Sequence, residues 1–141
     1  EFAHVRGNPI VVDKPYLVGQ FEMNLQAFIS LCRARHIVPV LMTMPSRFKA
    51  KPDRNVADSV RATGLSYGQF KDLFDTFNEA IRQKAQENHI LLIDLAREVP
   101  QTREFMYDIV HYNDKGSIKA ARIISTQLGY QVKQILAKPK G

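Results

Sequence analysis

His111 is the residue whose type and setting most readily suggest chemistry. It lies in the segment Tyr107-Asp108-Ile109-Val110-His111-Tyr112-Asn113. An imidazole titrates near neutrality, so it can take up and return a proton. Asp108 stands three residues upstream. In a turn, that spacing lets the carboxylate reach a ring nitrogen. The carboxylate would fix the tautomer and favour the imidazolium formed during proton transfer, leaving the other nitrogen for a hydroxyl or a water. The alternative is a structural His–Asp pair. Spacing alone does not decide, because Glu1 and His4 nearly repeat it. Placement adds weight, since the segment directly precedes a capped final helix. In open α/β sheets reactive groups sit on loops outside the carboxyl ends of strands.

The other candidates carry less. His36 and His89 each stand just before an apolar run, and read as residues at helix ends. His4 lies in the irregular start. The single cysteine, Cys32, excludes an internal disulfide and a multi-cysteine metal site. No metal and no cofactor is expected.

The elements that must position Asp108 and His111 alternate along the chain. Leu17, Phe21, Leu25, Phe28, Ile29 and Cys32 recur at helical spacing, with Pro15 suiting a helix start. Ile37 to Thr43 is almost wholly apolar, as in a strand buried on both faces. Pro39 should stand at its start or edge. Met44 to Gly64 is polar, basic and without a clean period, and reads as a long loop. A second amphipathic helix begins near Ser66 and carries Phe70, Leu73, Phe74, Phe77, Ile81 and Ala85. Ile90 to Asp94 reads as a second buried strand. A loop follows through Pro100 to Tyr112. The last helix spans about Asp114 to Leu136, with Asn113 as its N-cap. Buried strands alternating with helices predict parallel pairing in an α/β domain.

The 141 residues suit one domain, 1–141, with an irregular segment at 1–15 and a basic tail at 137–141. The apolar share of 45% and the seven Gly and seven Pro argue against disorder or a fibrous chain. No apolar run approaches the roughly 18–20 residues that cross a bilayer. The net charge of +6 arises from Lys115 onward, where six basic residues meet no acidic one. These are spread along a helical pattern with one aromatic, Tyr130. They read as a solvated face rather than a nucleic-acid surface, and no nucleic-acid partner is expected. Compartment is not legible.

The block from Asp108 to Ser117, followed by a helix, resembles the last motif of the SGNH (GDSL-like) hydrolases. Phe21 to Leu25, Ile37 to Ser46, Phe77 to Ile81 and Leu92 to Leu95 resemble that family's earlier helices and strands. The resemblance covers about Leu17 to Leu136. It implies a three-layer α/β/α, flavodoxin-like parallel sheet and ester hydrolysis by a Ser-His-Asp triad. His111 would be the general base and Asp108 its orienter. Met44 and Ser46 would be wall residues of a pocket for a carbohydrate, lipid or small ester.

The family's nucleophile stands in a Gly-Asp-Ser motif, and its oxyanion hole draws on a Gly-x-Asn-Asp block. Neither motif occurs here. None of the six serines, Ser30, Ser46, Ser59, Ser66, Ser117 and Ser125, has an elbow-like context. A base and its orienter without a nucleophile should supply little rate. The expectation is therefore a C-terminal part of such a hydrolase, inactive alone, with the nucleophile upstream. The alternative is a non-catalytic interaction or oligomerisation module. In either case, a sheet edge left open would be covered by the missing part or by a second copy.

Overall fold

The computed structural model describes residues 6–137. Its order is α1 (Lys14–Ala34), β1 (Val40–Met42), α2 (Arg54–Arg61), α3 (Tyr67–Glu87), β2 (Leu91–Ile93), α4 (Leu95–Glu98) and α5 (Asp114–Ala137).

Local chemistry sets the helix starts. Asp13 caps α1, accepting the Tyr16 N–H at 3.0 Å, and Pro15 falls within the first two positions. Ser66 and Gln69 form a reciprocal capping box at the start of α3. Asn113 Oδ1 accepts the Gly116 N–H at 3.0 Å to begin α5. His36 and His89 follow the last turns of α1 and α3 with φ of 57° and 52°, so both are left-handed residues at helix ends.

The two strands pair in parallel, with Val40 opposite Leu91, Leu41 opposite Leu92 and Met42 opposite Ile93. Alternation sends their side chains to opposite faces. Leu41 packs with Ile29 of α1 and Ala85 of α3, joined by Leu25, Ile81 and Leu92. Ile93 packs with Leu95, Val99, Met106 and Ala120, joined by Ile123, Ile124 and Leu128 of α5. A third cluster, Phe48, Val56 and Val60, gathers Tyr67, Phe70, Phe74 and Ile109.

The flavodoxin-like three-layer α/β/α fold implied by the resemblance is not what forms. Helices take up 59% of the described residues, and the sheet has two strands. The physical reason lies in the sequence. Only two runs, around Val40–Met42 and Leu91–Ile93, pair as strands, and most other apolar residues recur at helical spacing. No broad parallel layer can be built from two strands of three residues. Each strand has one neighbour, leaving its other edge unpaired among the described residues.

The long loop is also corrected. Residues 54–61 within it form α2, capped by Asp53, whose side chain accepts the Val56 N–H at 3.1 Å. Its apolar contribution is the pair Val56 and Val60, one turn apart, which a polar background conceals. The short α4, four residues long, is a further element that no periodicity in the sequence reveals. Of the irregular start, residues 1–5 lie outside the described residues. Residues 6–13 are irregular but tied down: the Gly7 N–H reaches the Arg61 carbonyl at 3.2 Å and the Ile10 N–H that of Gly64 at 3.4 Å. Of the basic tail, residues 138–141 lie outside the described residues. The last turn of α5 holds no basic residue.

Candidate active site

The segment between α4 and α5 is folded by short-range bonds. Asn113 stitches it together: its Nδ2 donates to the Arg103 and Glu104 carbonyls at 3.1 and 2.9 Å, and its N–H to that of Phe105 at 3.2 Å. Gly116 passes against the Phe105 carbonyl so closely that a Cβ there would collide with the oxygen. Met106 and Tyr112 form an antiparallel bridge, and the Tyr107 N–H donates to the His111 carbonyl at 2.8 Å. Residues 107–111 therefore make a closed loop in front of α5.

Asp108 organises the interior of that loop. Its Oδ1 accepts the N–H of Val110 at 3.0 Å and of His111 at 2.9 Å. This is the Asx-type bonding by which a short carboxylate nucleates a turn. The same carboxylate meets His111 Nδ1, with Oδ2 at 2.8 Å and Oδ1 at 3.0 Å. Partial burial alone would raise the Asp108 carboxyl. The His111 backbone N–H, its ring and the Val110 N–H outweigh that and hold it below the ordinary carboxylate range. With Asp108 ionised, neutral His111 is favoured as the Nδ1–H tautomer, which leaves Nε2 as an acceptor. Among the described residues, no side chain hydrogen-bonds to Nε2. The His111 side chain is 73% exposed and that of Asp108 43%. The site is open to solvent, where a base is available but electrostatic effects are damped.

The loop rests on Arg47. The Arg47 N–H donates to the Ile109 carbonyl at 2.8 Å, and Nη1 lies 3.4 Å from the Tyr107 and Asp108 carbonyls. Nη2 pairs with Asp53. Arg47 is 4% exposed, one of the most buried charged groups described. Its role is not legible in the sequence. Its only signal is its place between Ser46 and the apolar Phe48, six residues before Asp53.

Ser46 and Met44 are placed differently. Ser46 is buried and lines a cleft of about 470 Å³ beyond the carboxyl ends of the strands, with Asn78, Glu79, Arg82, Ala96 and Gln101. Met44 is not in that wall. Its N–H and carbonyl are both bonded by the Asn78 side chain, at 2.9 Å each. Asn78 was also missed, although a polar residue on the apolar stripe of α3 is a readable signal. Neither Met44 nor Ser46 hydrogen-bonds to Asp108 or His111, and the cleft does not include those two. The Ser46 hydroxyl instead accepts the Phe48 N–H at 3.4 Å. Hydroxyls elsewhere are used locally: Ser59 donates to the Asn55 carbonyl, Ser125 to that of Arg122, and Ser66 caps α3. No serine hydroxyl meets the imidazole.

Beneath the cleft, Arg82 holds Asp94 through Nε and Nη2 at 2.8 and 2.9 Å, and the Thr43 hydroxyl donates to the same carboxylate at 2.8 Å. These groups fix the strand ends. The Tyr112 hydroxyl is buried without a hydrogen-bond partner among the described residues, and burial pushes it up to about 12. It stays protonated near neutrality and is no base. Among the described residues, no group of three or more His, Cys, Asp or Glu is placed to hold a metal ion. No described helix is long and apolar enough to cross a membrane.

A scan against models of known protein families found no match, and neither did a search of curated proteins.

Proposed function

We propose that Asp108 and His111 are the orienter and general base of an ester hydrolase whose nucleophilic serine comes from a segment other than these 141 residues. The observation that carries the reading is the Asp108 carboxylate bound to Nδ1 of an exposed His111, whose Nε2 has no side-chain hydrogen-bond partner among the described residues. In this reaction Nε2 takes the proton of the serine hydroxyl as its oxygen attacks the ester carbonyl carbon. The imidazolium then protonates the departing alcohol, leaving an acyl-serine. Water, deprotonated by the same nitrogen, then attacks the acyl carbon, and the imidazolium returns that proton to the serine oxygen as the acid leaves. The substrates are acyl esters of carbohydrates, lipids or small alcohols.

A fluorophosphonate probe with mass-spectrometric mapping tests this. None of the six serines of this chain should be labelled. In the complete gene product a serine outside the chain should be labelled, and the label should be lost when His111 is replaced by alanine. Label on any of the six contradicts the proposal.

A second reading, a non-catalytic interaction or oligomerisation module, is favoured by one observation. Beside the open edge of β1, the apolar residues Ile37, Val38, Met42 and Met44 are all exposed. Light scattering separates the two readings. A stable oligomer disrupted by Met42→Lys, together with a silent probe in the complete product, would support the module.

A further inference from the structure

We propose that Arg47 is a positioning residue for His111, setting the pose in which Asp108 meets the imidazole. The inference rests on the reading of His111 as a base, but it stands on separate geometry. A buried guanidinium is costly unless it is paired and hydrogen-bonded. Arg47 meets that cost with one carboxylate and the loop backbone. Its N–H and guanidinium hold three successive carbonyls, those of Tyr107, Asp108 and Ile109.

Arg47 is itself fixed from two sides. Its chain neighbour Phe48 is sealed among Tyr67, Phe70 and Phe74, with ring centroids 5.4–5.6 Å apart. Its counter-ion Asp53 is committed to capping α2 and also lies 3.7 Å from Arg103. A continuous set of contacts thus runs from the N-terminus of α2 through Asp53 and Arg47 to the backbone of Asp108, and from the Asp108 carboxylate to His111. The loop's own bonds close it on itself, while Arg47 ties it to the rest of the fold. Tyr107 is 79% exposed, and Ile109 supplies its contact with the Phe48 cluster. Lysine at position 47 would keep the charge but lose the planar fork that reaches the carbonyls and Asp53 together.

The test is the nitrogen and proton NMR signature of the His111 ring in the labelled chain. The parent should show the Nδ1–H tautomer with a low-field Nδ1 proton, lost in Asp108→Asn. In Arg47→Lys and Arg47→Met, folded by circular dichroism, the Nδ1–H to Nε2–H tautomer ratio should fall at least twofold. His89, remote in sequence, should not change. An unchanged His111 signature in folded Arg47→Lys overturns the proposal. Should an Arg47 variant fail to fold, Asp53→Asn decides. Asparagine still caps α2 but removes the charge that holds the guanidinium, so an unchanged signature there also overturns it. Failure of the base reading would look different: His111→Ala would leave esterase turnover intact while the ring signature of the parent remained.

Discussion

Asp108 holds His111 twice. It accepts the backbone N–H at 2.9 Å and meets ring Nδ1 at 2.8 Å. The two bonds separate on substitution. Asparagine at 108 can still accept the N–H groups of Val110 and His111, so the loop should keep its shape. Its amide can also present a donor to Nδ1, which favours the tautomer with the proton on Nε2. The prediction for Asp108→Asn is a folded chain whose melting temperature falls by only a few degrees, since the lowered native carboxyl contributes some stability near neutrality, and a loss of about 10⁴-fold in kcat of the complete esterase. Thermal unfolding and steady-state hydrolysis of an acetyl ester check the two halves.

Gly116 supports the same loop from below. Its lack of a Cβ lets the Phe105 carbonyl approach the first turn of α5. Gly116→Ala should destabilise the chain by about 1–3 kcal/mol, as overpacking does, despite alanine's better helix propensity. Urea unfolding measures it. A stabilised variant would show that the close approach is absent.

The acid limb of stability should report Asp94. The hydrogen bonds from Arg82 lower its carboxyl against the opposing effect of burial, with Thr43 adding to the lowering. The native carboxyl thus titrates below its unfolded value of about 3.9. Between those two values the unfolded chain binds more protons, so stability is full above that window and is lost as pH falls through it. Denaturation followed from pH 5 down to pH 2 should show this slope, and Asp94→Asn should flatten it.

The sheet's core position is Ile93, fully buried between the strands and α5. Ile93→Ala should cost about 2–5 kcal/mol through lost burial and the cavity left behind. Chemical denaturation would show it as a lower midpoint with an unchanged slope.

Legibility followed the range of the interactions. The helices α1, α3 and α5 were readable because Ile29 and Ala85 lie on regular apolar stripes and Pro15, Ser66 and Asn113 mark helix starts. The buried face of α5 was not, since the stripe through Ile118, Val132 and Ile135 is exposed there, while Ala120, Ile123, Ile124 and Leu128 meet the core. The polar α2 was not, because Val56 and Val60 acquire meaning only when Phe48 and Phe74 pack on them. The layered fold was over-read. Two apolar runs suggested a broad parallel sheet through a family resemblance, whereas these residues build a two-stranded one. Asp108 and His111 were readable because three residues in one turn bring them together. Arg47 was not, because about sixty residues separate it from the carbonyls it holds.

We propose His111 Nε2 as the proton acceptor for a serine outside this chain. The most direct test is the turnover of an acetyl ester by the complete gene product, parent against His111→Ala. The expected result is a fall of about 10⁴-fold or more with folding unchanged. Equal turnover in the two would contradict it.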